Sequence, residues 1–305
     1  MLRKIRIILS TLILMMWAGS AFAVTKIAAC NEVITAPGKY KLSKNLECPF
    51  IPNFPSIVVL APDVQLNLAN KTLSSLTLQG AGIFVASGAT NFKLTGGGTV
   101  TGFFTGIEIQ SSGSSVTSTT STGNAIGMVV RGAGGKLTGN TLLGSIRVTD
   151  PITGGFIPGS GMGLILLGSG VTNTTVNGNT IADNEFYGID VDQAVGNRIY
   201  GNRLQNNGLP AGGGILIFNG AADNVVRGNR VTDSGEFGII SYGNPSNAAL
   251  PSPGTAFPVD NTIQGNTVKG SGLLDLEDFV YVASDCSNTW KNNNYITAGS
   301  ICMLD

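Results

Sequence analysis

The chain has 305 residues, only 12% of them charged, with 18 Lys plus Arg balancing 18 Asp plus Glu, 43 Gly and no His. A net charge of zero gives no broad positive field, so neither nucleic acid nor an anionic membrane is expected as a partner. The lack of His removes the commonest transition-metal ligand and the usual general base near neutral pH, which argues against zinc or copper chemistry and against any His-dependent triad.

At the start, Arg3, Lys4 and Arg6 precede an apolar run from Ile7 to Trp17, and Ala21-Phe22-Ala23 places small residues at a cleavage point. Residues 1–23 are therefore expected to be a signal peptide, leaving a secreted or periplasmic chain that begins at Val24. The apolar run is too short for a stable span and no similar run recurs, so no membrane insertion is expected. Ile27-Ala28-Ala29-Cys30 superficially matches a lipoprotein box, but Lys26 separates it from the apolar run. In an oxidising compartment the four cysteines read as disulfides, with three connectivities open to them. The sequence-local pairs Cys30–Cys48 and Cys286–Cys302 are favoured because the two ends of the solenoid described next lie too far apart to be cross-linked.

From the middle of the chain onward two short units recur. One reads Gly-Asn, an outward residue, then an apolar one, at Gly139-Asn140, Gly178-Asn179, Gly201-Asn202, Gly228-Asn229 and Gly265-Asn266. The other reads Gly, apolar, any residue, apolar, and begins at Gly82, Gly106, Gly127, Gly163, Gly188, Gly214 and Gly238, at successive spacings of 24, 21, 36, 25, 26 and 24 residues. Strands of three to five residues pointing Val, Ile and Leu inward, closed by Gly or Asn corners that tolerate positive φ, satisfy this pattern. Stacked in parallel they bury one aliphatic column, so the expected fold is all-β, a right-handed parallel β-helix of roughly nine coils. The repeated Asn residues are expected to stack as an amide ladder. Phe92, Phe103, Phe104 and Trp290 are expected to serve packing or the end caps.

The stretch from Val64 to Leu73, the Asn-x-Ile-x-Gly-Asn units at Asn197 and Asn261, and the closing Cys286-Ser287-Asn288-Thr289-Trp290 resemble secreted parallel β-helix repeat proteins of the pectin-lyase-like superfamily, including NosD-like members. The resemblance covers nearly all of the mature chain and implies an encounter with an extended polymer, most often a polysaccharide. For a copper role of the NosD type, the absence of His and the few Met offer poor ligands.

The organisation expected is a cap over 24–60, the β-helix over 61–285 and a second cap over 286–305, with the cysteine pairs stapling the caps and the chain acting as a monomer. Insertions at Asp150 to Gly161 and at Gly243 to Asp260 are expected to wall one sheet, or to cover it with Phe156, Leu250 or Phe257. The outward residues of that sheet form two rows. The nearer holds Phe84, Glu108, Val129, Ile165, Asp190, Leu216 and Ile240; the farther holds Ala86, Gln110, Arg131, Leu167, Asp192, Phe218 and Tyr242.

Asp190 and Asp192, two residues apart on one strand, are the candidate catalytic pair, acting as acid and base or together holding one calcium ion. Arg131, Tyr187, Phe218 and Tyr242 are the candidate substrate-binding residues. Tyr187-Gly188-Ile189-Asp190 is similar to the opening of the Tyr-Gly-Phe/Ile-Asp-Pro-His motif of alginate C5-epimerases, but Val191 and Asp192 stand where the Pro and His would be. Lyase- or hydrolase-type action on a polysaccharide is the enzymatic expectation; a non-catalytic adhesion or carbohydrate-binding solenoid is the alternative. Asp275, Glu277 and Asp278 are expected to be a solvated edge strand near the last coil.

Overall fold

The computed structural model describes residues 23–52, 54–243, 257–279 and 286–303. The expected signal peptide lies outside them except for Ala23, and so does Leu250. The described chain winds through three all-parallel sheets of eleven, nine and ten strands. One turn runs through Thr180–Ala182 in the nine-stranded sheet, Tyr187–Asp192 in the ten-stranded sheet and Arg198–Tyr200 in the eleven-stranded sheet. Arg203–Gln205 then returns to the first of these, one rung on.

Single strands of this length have no stability of their own. Alternation turns Ile181, Ile189, Val191 and Ile199 inward, and the next rung stacks Leu204, Ile215, Ile217 and Val226 upon them, all with no exposure. The core is thus one continuous aliphatic column whose backbone groups are satisfied by neighbouring rungs. Residues 24–60, expected as a cap, themselves place Thr25–Ile27, Glu32–Ile34, Gly38–Leu42, Leu46–Glu47 and Ile57–Val59 in the three sheets, so winding begins at Thr25. Both disulfides join the expected pairs, Cys30 with Cys48 and Cys286 with Cys302.

The corners divide their labour differently from the expectation. Gly139, Gly178, Gly201, Gly228 and Gly265 adopt φ between 60° and 63°, whereas the Asn after each is not among the positive-φ residues. The glycine makes the left-handed turn, and the asparagine is free to aim its amide along the stack. Nδ2 of Asn140, Asn179, Asn202, Asn229 and Asn266 each donates to Oδ1 of the next Asn in the column, ending at Asn293, over 2.9 to 3.1 Å. A second column, unforeseen as a ladder, links Asn197, Asn224, Asn261 and Asn288 over 2.9 to 3.0 Å.

Asp275, Glu277 and Asp278 are buried, not solvated as expected, because the closing segment folds over their strand. Asp275 accepts the backbone N–H of Ile296 and Thr297, and Asp278 accepts Trp290 Nε1 at 2.9 Å and Asn288 Nδ2 at 3.2 Å. These carboxylates fasten the last strands to the rungs beneath them. Burial, followed by the Asp278 charge, raises the Glu277 pKa. Phe92, Phe103 and Trp290 are buried packing residues, as expected. Phe104 is instead half-buried and faces outward.

Candidate functional site

The ten-stranded sheet carries a second apolar layer on its outer face, distinct from the column inside. Ile126, Val129, Met162, Ile165, Tyr187, Leu216 and Ile240 are buried there, with Phe104, Leu167, Phe186, Phe218 and Tyr242 packed around them. The strand register follows the outward rows: Glu108 pairs with Phe84 and Val129, Ile165 with Val129 and Asp190, and Leu216 with Asp190 and Ile240. Asp192 lies between Leu167 and Phe218, and Phe218 pairs onward with Tyr242.

Over this face runs a groove of about 790 Å³. Its walls include Phe54, Phe84, Phe104, Phe186 and Phe218; its floor includes Ile126, Val129 and Ile165; its charged residues are Glu108, Arg131, Asp190 and Asp192. The first insertion supplies one wall through Pro158 and Gly159. It is held by an antiparallel bridge between Thr149 and Phe156 and by a bond from the Val148 N–H to Ser160 Oγ at 3.1 Å. Arg147 braces its base, with its guanidinium carbon 4.0 Å from the Phe186 ring centroid and 4.7 Å from that of Phe156. Phe156 stays exposed, so this loop walls the sheet and leaves it open. Most of the second insertion lies outside the described residues; Phe257 at its end is half-buried.

Asp190 is 5% exposed, set between Ile165 and Leu216 on its row, and its Oδ1 has no hydrogen-bond partner. Burial pushes this carboxyl well above the ordinary aspartate value, and the Asp192 charge pushes it further. Asp192 is half-buried; burial raises its pKa too, opposed by hydrogen bonds from Asn219, at 3.2 Å, and Gln193. Two carboxyls on one strand thus differ in environment: one is sealed and favours its neutral form, the other is partly solvated and hydrogen-bonded.

Of the six candidate residues, Asp190, Asp192, Arg131 and Phe218 line the groove; Tyr187 and Tyr242 do not. Tyr187 is buried beneath Phe186, their ring centroids 4.7 Å apart, and burial, then the charges of Glu236 and Asp190, raise its pKa. Tyr242 continues an aromatic file beyond the groove, stacked on Phe218 at 5.8 Å and meeting Phe279 edge-on at 5.5 Å. Arg131 binds Glu108 at 3.4 Å, while Gln110 donates to the same carboxylate at 2.9 Å. Leu167 separates Arg131 from Asp192, which puts the two about 10 Å apart at roughly 4.8 Å per rung. Among the described residues no three His, Cys, Asp or Glu side chains converge as a metal site.

Sequence reasoning missed Phe54, Phe104 and Phe186 as groove walls. They sit at strand entries and corners, outside the alternation that identified the rows; an aromatic residue just before the Gly of the apolar unit was the available signal at Phe186 and Tyr187.

Solved structures similar to this chain are themselves β-helices acting on or named for varied functions. An alginate lyase from Paenibacillus sp. str. FPU-7 has 14% identity and a TM-score of 0.64, with 91% of this chain and 96% of that chain covered. The Dettilon tailspike protein has 14% identity and a TM-score of 0.59, with 90% of this chain covered but only 61% of the tailspike's length. The periplasmic alginate epimerase AlgG has 12% identity and a TM-score of 0.58, with 87% and 76% covered. Identities this low speak to the fold alone. No curated protein matches the chain. Residues 56–251 match the family described as the right handed beta helix region, and with that span, the parallel rungs and the aliphatic column, the chain belongs to that family.

Proposed function

We propose that the protein is exported and that its groove holds a segment of an extended polysaccharide, with Asp190 donating a proton to the bound sugar and Asp192 as its ionised partner. The groove carries this reading: an aromatic-walled cleft of about 790 Å³ lined by a buried carboxyl with one unpartnered oxygen. Such a cleft suits a ligand with apolar ring faces and polar edges. A carboxyl kept neutral by burial suits protonation of a leaving oxygen, and a more solvated neighbour suits acceptance of a proton from water. The alginate lyase and alginate epimerase among the similar β-helices support the choice of ligand class. Two disulfides support export to an oxidising compartment. Calcium takes six to eight oxygen ligands, and no third carboxylate joins this pair among the described residues, so the acid and base reading is preferred.

Among the described residues Arg131 is the only cation lining the groove, and it is already paired with Glu108, so neutral polymers are expected to bind more tightly there than polyuronates. Affinity electrophoresis against neutral and uronate-rich polysaccharides tests this. Ala81→Trp, which fills the groove from its half-exposed edge, should weaken binding by roughly tenfold or more without lowering the melting temperature. Undiminished binding by that variant would move the ligand elsewhere. The apolar row of Val129, Ile165 and Leu216 favours one second reading, a binding solenoid without turnover, in which ligand is retained and no product forms.

A further inference from the structure

On the far side of the solenoid, where the eleven- and nine-stranded sheets meet at the Gly-Asn corners, a different chemistry gathers. Six arginines follow Ala23 in the sequence, and four of them lie on two successive coils here: Arg203, Arg227 and Arg230 flank the corner, and Arg198 stands at the other end of its short strand. All four are exposed.

The register makes this more than a composition effect. The first outward column of the nine-stranded sheet reads Thr72, Thr99, Thr120, Thr141, Thr180, Arg203, Arg230 and Thr267. Only two adjacent rungs exchange threonine for arginine, which sets two guanidinium-bearing residues directly opposite each other at a strand spacing of about 4.8 Å. Like charges in that arrangement repel. Across the corner, Arg227 pairs with Tyr200 and Gln264, and Gln264 with exposed Lys291.

Nothing in the described chain relieves the repulsion. Arg203 donates to Gln205 at 2.9 Å and Arg227 lies 5.3 Å from the Tyr200 ring centroid, but neither contact brings a negative charge. Asp223 precedes Val225–Arg227 and Asp233 follows Arg230–Thr232, so both stand at the strand ends away from Arg203, Arg227 and Arg230, Asp223 being nearer the end that carries Arg198. Among the described residues the sole ion pair within 4.0 Å is Arg131 with Glu108 on another face.

We propose that this arginine ridge is a second binding site, for a polyanionic glycan whose carboxylate or sulfate groups repeat along its chain. Cations rising in steps of one rung match anions repeated at sugar spacing, and bidentate guanidinium contacts suit both anions. Nucleic acid fits less well, because Tyr200, the aromatic ring of the ridge, is already faced by Arg227 and leaves no platform for base stacking. The site is independent of the groove: it would anchor the protein to an anionic matrix while the groove remains open to its own ligand.

The test measures binding of the full mature chain to heparin and to polygalacturonate at low and physiological salt, with a single-stranded DNA oligonucleotide as a parallel probe. The variant is Arg203→Thr/Arg230→Thr, which restores the residue that the other rungs carry and is expected to melt at or above the wild-type temperature. Arg203→Lys/Arg230→Lys keeps the charge. Expected results are salt-sensitive binding of at least one glycan, weakened roughly tenfold or more in the Thr variant, largely retained in the Lys variant and unchanged by Ala81→Trp in the groove. The proposal is overturned if the wild type binds neither glycan, if the Thr variant binds as the wild type does, or if DNA is held as tightly with the same arginine dependence.

Discussion

Asp190 occupies a position that stability alone would give to an aliphatic residue. Its row neighbours are Ile165 and Leu216, it is 5% exposed, and Oδ1 finds no donor. Leaving a buried polar atom unpaired costs about 1–3 kcal/mol, so Asp190→Leu should stabilise the fold by an amount of that order at neutral pH while removing the proton donor. The sign of the pH dependence follows from the raised pKa. The folded carboxyl titrates above the unfolded one, so its favourable contribution is complete below the unfolded value, about pH 4, and is lost as pH rises through the folded value. The melting-temperature gap between Asp190→Leu and wild type should therefore widen from pH 4 to pH 8. A constant gap, or one that closes, would show that Asp190 is better solvated than its surroundings indicate. Destabilisation tolerated at one residue is a common companion of function.

At the scale of the strand and its corner, the asparagine columns hold successive rungs in register. Asn202 accepts from the backbone N–H and Nδ2 of Asn179 and donates to Val176 O and to Asn229 Oδ1, all between 2.9 and 3.0 Å. Asn202→Ala strands several buried groups at once and should cost about 3 kcal/mol or more, as measured by urea unfolding. Asn293→Ala, at the half-buried end of the column, should cost about 1 kcal/mol. Equal losses at the two positions would contradict the ladder's account of register. The column itself was legible because Asn140, Asn179, Asn202, Asn229 and Asn266 each stand in the same Gly-Asn-x-apolar unit, and the outward rows were legible because alternation has a period of two. The second column escaped notice, although Asn197 and Asn261 open the recurring Asn-x-Ile-x-Gly-Asn unit, because only Asn197 follows a glycine, Gly196, whereas Asp223, Asp260 and Ser287 precede the other three members. The groove walls at Phe54, Phe104 and Phe186 escaped for a related reason: a corner's direction depends on backbone angles that no alternation rule carries. The acidic strand at Asp275 read as solvated because what covers it, the turn at Ile296 and Thr297 and the indole of Trp290, is remote in sequence.

Over the whole molecule, stability is distributed along the stack, each rung answering chiefly to its neighbours. The Cys30–Cys48 bridge closes a sequence separation of 18 within the first rungs. Removing it with Cys30→Ser/Cys48→Ser should cost about 3 kcal/mol, concentrated in those rungs. Hydrogen exchange should accelerate near Gly38–Leu42 and stay unchanged near Tyr187–Asp192. Uniform acceleration would mean that the solenoid opens as one unit. The same modularity lets two faces diverge without disturbing the core: an apolar groove over the ten-stranded sheet, and a cationic ridge at the corner of the other two.

The most direct measurement of the central claim is product formation. Neutral and uronate-rich polysaccharides are incubated with the wild type and with Asp190→Asn/Asp192→Asn, and products are followed by reducing ends, by ultraviolet absorbance of unsaturated uronate and by NMR for epimerisation. The account predicts turnover of at least one polymer by the wild type and a loss of about 100-fold or more in the variant, with its melting temperature maintained. Equal turnover by the two proteins, or none from any polymer, would contradict an acid and base role for the pair.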